Sequence, residues 1–215
     1  MTKVTSVIQT GGLAFREFVM QEPLPLTTIQ QAILEFLRGR DDAVLFGAQA
    51  VNAYVAEPRA SDDIDLLSPR ASELAEELRD LLQNQFHIAV RIREIGQGRG
   101  YRIYQVQKSG NRHLVDLRPV VTLPPAQRIA QVLVATPEEL IVQKIIAYQQ
   151  RRGKPKSGTD WRDLAMLLLQ FPEFKRDPNR VTERLRASGA GQPVLAAWQE
   201  LVAQEIQPAE DEDEF

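Results

Sequence analysis

Phe46-Gly47-Ala48-Gln49-Ala50-Val51 and, beyond the break at Pro58, Arg59-Ala60-Ser61-Asp62-Asp63-Ile64-Asp65-Leu66-Leu67 are the segments that decide how this chain is read. Residues two apart on a strand point the same way. Asp63 and Asp65 therefore project together, while Ile64 and Leu66 anchor the strand from its other face. Neighbouring carboxylates repel each other, which costs free energy until a cation lies between them. Hard oxygen donors at this spacing suit Mg²⁺, which typically bridges protein carboxylates to substrate phosphates, and Mn²⁺ accepts the same donors. Upstream, Ala43 to Phe46 reads as a short buried strand ending at Gly47, where a small-residue helix begins at once. Such a turn offers backbone N–H groups at the positive end of a helix dipole. Gly47 and Ala48 are small enough to admit phosphate oxygens, and Arg59 and Ser61 are placed to hold a phosphate or a metal-bound water. Taken alone, Asp-Ile-Asp reads better as a solvated strand edge, and Gly47-Ala48 equally well as an ordinary turn. An anion cradle, a basic residue and paired acids within twenty residues favour a site.

Outward from this stretch the pattern predicts an α/β (α+β) chain, a mixed sheet flanked by helices with a helical C-terminal region. Residues 1–26, with Gly11-Gly12, Pro23 and Pro25, read as an irregular leader. Residues 27–125 form the α/β core. Thr27 or Thr28 caps a helix with Ile29, Ile33, Phe36 and Leu37 at helical spacing. A helix from about Ser72 to Gln85 follows the second strand. Alternating runs from Ile88 to Ile92 and from Tyr101 are joined by a hairpin turn at Gly96–Gly100, and His113 to Leu117 closes the sheet. Residues 126–207 read as helical, with helices at Pro137–Gln150, Trp161–Leu169, Pro178–Ala187 and Pro193–Ile206. The acidic tail, 208–215, reads as disordered. Trp161 and Trp198 read as packing residues, and His113 as a strand-surface histidine.

The chain has 215 residues, 43% of them hydrophobic and 26% charged, with no cysteine and two histidines. Disulfides, thiolate nucleophiles and cysteine- or histidine-rich metal sites are thereby excluded. No membrane span or secretory signal is read, so the expected location is the cytoplasm. The net charge of −3 includes the five acids Glu210 to Glu214, without which the chain carries +2. Seven basic residues between His87 and Arg118 face only Glu94 and Asp116, and a second cluster runs from Arg151 to Lys156. Such patches suit a polyanionic ligand.

Gly47-Ala48, fourteen residues, then Asp63-Ile64-Asp65-Leu66 resembles the signature of the DNA-polymerase-beta-type nucleotidyltransferase superfamily. The longer form, Arg59-x-Ser61-x-Asp63-Ile64-Asp65-Leu66, is similar to the minimal nucleotidyltransferases of the AbiEii type, found in toxin–antitoxin and abortive-infection systems. Ala48 stands where that pattern has glycine or serine. The resemblance implies a third carboxylate on a later strand, a place that Asp116 in His113-Leu114-Val115-Asp116-Leu117 fits. It implies a cleft lysine on a helix, matched by Lys144, and an Asp-x-x-Asp-Leu motif, matched by Asp160-Trp161-Arg162-Asp163-Leu164. Asp160 is also readable as a helix N-cap.

The implied activity is Mg²⁺-dependent transfer of a nucleoside monophosphate from an NTP to a hydroxyl on RNA or protein. Asp63, Asp65 and Asp116 would hold metal, with Lys144 as a fourth catalytic residue. Gly47, Ala48, Arg59, Ser61 and Asp160 would bind nucleotide, and an antitoxin protein is an implied partner. A non-catalytic nucleotide- or partner-binding protein on the same fold is the second reading, and Ala48 supports it.

Overall fold

The computed structural model describes residues 24–207. The readings of a leader and an acidic tail fall mostly outside these residues. Helix α1 (Leu26–Leu37) starts before the two threonines read as caps and buries Ile29, Ile33 and Leu37, one stripe at helical spacing. Strand β1 (Val44–Phe46) runs into the six-residue α2 (Gly47–Asn52). After the loop through Pro58 come β2 (Ile64–Ser68) and α3 (Ala71–Phe86). Next are β3 (Val90–Ile95), β4 (Gly100–Gln105) and β5 (Arg112–Pro119).

These strands belong to one seven-stranded mixed sheet in the order β3-β4-β5-β2-β1-β7-β6. Its inward side chains from β3 to β5, including Ile92, Ile103, Val115 and Leu117, join the core on the side covered by α3. The opposite alternation leaves Arg91, Arg93, Arg102 and Arg118 exposed. Strand β5 lies inside the sheet, between β4 and β2, rather than closing it.

The chain does not turn helical at residue 126. Strands β6 (Ala126–Ile129) and β7 (Val132–Ala135) form a hairpin, and β7 pairs parallel to β1. Its two-residue turn places Ala130 and Gln131 at φ of 46° and 69°. Two positive φ values normally call for Asn-Gly or a similar pair, so the usual turn signature is missing. Burial of Val132, Val134 and Ala135 beside β1 overrides the local preference.

Helix α4 (Pro137–Gln150) begins with Thr136, whose Oγ1 accepts from the Glu139 N–H, and with Pro at its first position. Helices α5 (Lys156–Gln170), α6 (Glu173–Arg176), α7 (Asn179–Ala187) and α8 (Gln192–Ala203) follow. Helix α4 packs against α5, α7 and α8, and α2 rests on α4 and α5. Trp198 is buried and donates its indole N–H to the Pro178 carbonyl, whereas Trp161 is 39% exposed and directs its indole N–H to Gln204 Oε1.

Candidate active site

The sheet register brings the acids together. Asp65 on β2 is the register partner of Asp116 on β5, and Asp63 lies just ahead of β2. His113 joins them: its Nδ1 is 3.2 Å from Asp63 Oδ2 and its Nε2 is 3.3 Å from Asp116 Oδ1. One donor atom from each of Asp63, His113 and Asp116 lies within 4.8 Å of the other two. Arg102, the register partner of Asp116 on β4, donates its Nε–H to Asp116 Oδ1 at 2.8 Å.

The reading of His113 as a surface histidine gives way to this geometry for a local reason. Arg102 pairs with Asp116 and Ile103 with Val115, but Tyr104 pairs with His113, so Leu114 is an extra residue. This bulge puts His113 and Asp116, three positions apart, on the same side of the strand. Leu114 and Val115 are consecutively buried as a result. Strict alternation separates His113 from Asp116, which is why the sequence hid it.

Of the three acids Asp63, Asp65 and Asp116, only Asp65 is raised. Burial, and then the charge of Asp63, push its carboxyl up to about 6, with Asp116 adding to the shift; Arg118 and Lys144 pull the other way. A hydrogen bond from His113 holds Asp63 below the ordinary carboxylate range. Burial opposes the same shift at Asp116, where His113 and Arg102 prevail. Hydrogen bonds to Asp116 and Asp63 raise His113 to about 10. Gly47 is at φ +71°, and a Cβ there would lie 1.9 Å from Asp65 Oδ2. Only glycine lets the β1–α2 turn approach that carboxylate. Ala48 is buried at 6% exposure.

The loop before β2 is pinned from three sides. The Asn52 amide donates to the Arg59 carbonyl at 2.8 Å and accepts from the Arg59 N–H at 3.0 Å. Gln30 donates to the Ser61 carbonyl at 2.8 Å, and the Ser61 hydroxyl donates to the Asp63 carbonyl. Arg59 forms a two-pronged pair with Asp163, Nε to Oδ1 at 2.7 Å and Nη2 to Oδ2 at 2.9 Å. That fork joins the acid-bearing loop to α5.

Lys144 is 8% exposed, with its Nζ 2.6 Å from Asp163 Oδ2 and 3.8 Å from Asp160 Oδ1. Asp160 also receives Arg151 Nη1 at 2.8 Å. Asp160 lies within α5, which begins four residues earlier at Lys156, so it is not the N-cap. Burial tends to raise the Asp163 carboxyl, but Arg59 and Lys144 together hold it low. Asp163, Asn52 and Gln30 were not singled out as site residues from sequence. The first is the second acid of the Asp-x-x-Asp-Leu motif, whereas nothing local marks the two amides.

A cavity of about 460 Å³ lies between α1, α2 and the β6–β7 hairpin, lined in part by Leu34, Leu45, Gln49 and Val134; Asp63, Asp65, Asp116 and His113 are not among its lining residues. Among the described residues, no helix is long and apolar enough to cross a membrane.

The strand–glycine turn and the acids on adjacent strands belong to a nucleotidyltransferase fold, and solved structures of that fold resemble this one. The Megavirus polyadenylate synthase matches with a TM-score of 0.57 and 15% identity, over 79% of this chain and 36% of that enzyme. This chain therefore spans about a third of the viral enzyme's length. JHP933 from Helicobacter pylori matches with a TM-score of 0.51 and 14% identity, over 82% of this chain and 88% of that one. No curated protein matches the sequence. Residues 31–214 match the family described as "Nucleotidyl transferase AbiEii toxin, Type IV TA system". The chain belongs to that AbiEii family of nucleotidyltransferases.

Proposed function

We propose that the protein moves a nucleoside monophosphate from an NTP to a hydroxyl at an RNA end, breaking the α–β phosphoanhydride bond and releasing pyrophosphate, with a divalent ion held by Asp63, Asp65 and Asp116. The observation that carries this reading is the convergence of Asp63 and Asp116, with Asp65 alongside, on neighbouring strands of one sheet. The donor set suits a divalent ion: burial, and after it the charges of Asp63 and Asp116, raise Asp65, and a cation would offset both. When bound, Mg²⁺ would offset charge on the entering and leaving oxygens of an in-line phosphoryl transfer. Gly47 keeps the β1–α2 turn against Asp65, and the backbone at Gly47 and Ala48 receives the triphosphate. Arg102 and His113 both engage Asp116 Oδ1, leaving Oδ2 for the ion and, beside it, for the proton of the attacking hydroxyl.

Arg59, Lys144 and Arg151 share only two acids, Asp160 and Asp163, so the network carries a surplus of one positive charge. That surplus offsets part of the triphosphate's charge. Ser61 shapes the loop on which Asp63 stands. Exposed Arg91, Arg93 and Arg118 lie on the sheet face that also carries Arg102 beside Asp116, which favours RNA over protein as acceptor. Family membership supports a toxin role in the cytoplasm, with an antitoxin protein as partner.

The test is thermal. With Mg²⁺, an NTP should raise the melting temperature in proportion to its occupancy, and with a chelator it should not. Equal stabilisation with and without the ion would contradict metal-assisted nucleotide binding.

A further inference from the structure

The carboxylates account for the proposed chemistry, and His113 enters it only through its contact with Asp116. Yet the fold goes to some length to place it. The bulge at Leu114 turns the imidazole onto the acid side of β5, and its ring lies on Tyr104 with centroids 5.1 Å apart. Its two nitrogens reach the two acids that converge on it, Asp63 at 3.2 Å and Asp116 at 3.3 Å. Nε2 also lies 3.2 Å from the Val115 carbonyl oxygen. A carbonyl only accepts, so Nε2 carries the hydrogen and, in the neutral ring, Nδ1 holds the lone pair. Nδ1 is the nitrogen that faces Asp63.

We propose that His113, releasing its Nδ1 proton to solvent as the ion arrives, binds the divalent ion directly through Nδ1, and that the resulting nitrogen-and-oxygen donor set favours Mn²⁺ over Mg²⁺. This rests on the reading of the acids as a metal site. A metal-binding histidine commonly donates its other ring N–H to a carboxylate or a backbone carbonyl, which fixes its tautomer. Here Asp116 and the Val115 carbonyl stand in those places at Nε2. Mg²⁺ keeps to oxygen donors and gains little from an imidazole, whereas first-row transition ions accept one. The nitrogen therefore discriminates between two ions that the carboxylates alone would treat more alike.

The two histidines make the test direct, because His87 is the other. Tag-free, metal-stripped protein is loaded with one equivalent of Mn²⁺ and examined by electron spin echo modulation. Wild type and His87→Gln should show the ¹⁴N modulation of a bound imidazole. His113→Gln should lose it, with Mn²⁺ affinity falling roughly tenfold or more, while Mg²⁺ affinity, read by competition, changes far less. If wild type binds Mn²⁺ without imidazole modulation, the carboxylates alone hold the ion. The proposal then fails, and the nucleotidyl-transfer reading stands. Modulation that follows His87 instead overturns it too. If neither ion binds, with or without NTP, the metal site itself is wrong and the proposal falls with it.

Discussion

Asp65 is pressed between burial and the charges of two neighbouring acids, and that conflict can be measured. Its carboxyl is raised from 3.8 to about 6, so the fold prefers its neutral form. The stabilising contribution is complete below pH 3.8 and disappears as pH rises through about 6. In metal-free protein, Asp65→Asn should therefore melt higher than wild type at pH 7, and the gap should close toward pH 4. Equal melting temperatures at pH 7 would mean that neither burial nor neighbouring charge disfavours the carboxylate. His113 covers a different window. Its imidazole is raised from 6.5 to about 10, so the charged ring stabilises the metal-free fold fully below pH 6.5 and progressively less up to pH 10. His113→Gln should accordingly be less stable than wild type at pH 6, with the deficit shrinking as pH approaches 10. A constant deficit across that range would rule out the two carboxylates as its source. At this scale the acids were legible, because strand alternation and a short motif mark them. His113 was not, because one inserted residue, Leu114, reverses the side on which it emerges.

At the scale of elements, the loop from Arg59 to Asp63 owes its shape to groups far away in sequence. Asp163, from α5, accepts both Arg59 and Lys144 while fully buried. Replacing it with Ala strands two cations in a poorly solvated place. The expected loss is about 3–5 kcal/mol in urea unfolding, as for other broken buried ion pairs. Asn52→Ala should cost less, roughly 1–3 kcal/mol, because it leaves the Arg59 N–H and carbonyl without their partner. A loss at Asn52 equal to that at Asp163 would mean that the amide, not the charge cluster, holds the loop. The main helices of the C-terminal part were readable from Pro starts and apolar stripes, as in α4. The β6–β7 hairpin was not, since Ala130-Gln131 hides a turn usually written with Gly or Asn. Its strands hold because they complete the sheet beyond β1.

For the whole molecule, the sheet and the loop before β2 carry Asp63, Asp65, Asp116 and Arg59, while Lys144 and Arg151 from the C-terminal part join Arg59 around Asp160 and Asp163, so the proposed site draws on both parts. The mixed sheet was foreseeable from the order of short strands and helices. The position of β5 inside it was not, because strand order depends on long-range pairing that no local pattern encodes. The central claim is metal-assisted nucleotidyl transfer at Asp63, Asp65 and Asp116. It is tested most directly by following label from α-labelled NTPs onto total RNA and onto protein, with wild type beside Asp63→Asn. Wild type should label RNA in the presence of Mg²⁺ or Mn²⁺. Asp63→Asn, which keeps the shape but removes a charge, should do so about a thousandfold more slowly or worse, the loss expected when several kcal/mol of metal stabilisation leave a phosphoryl transition state. Equal labelling by the two proteins, or labelling that persists in wild type after the metal is chelated, would contradict the account.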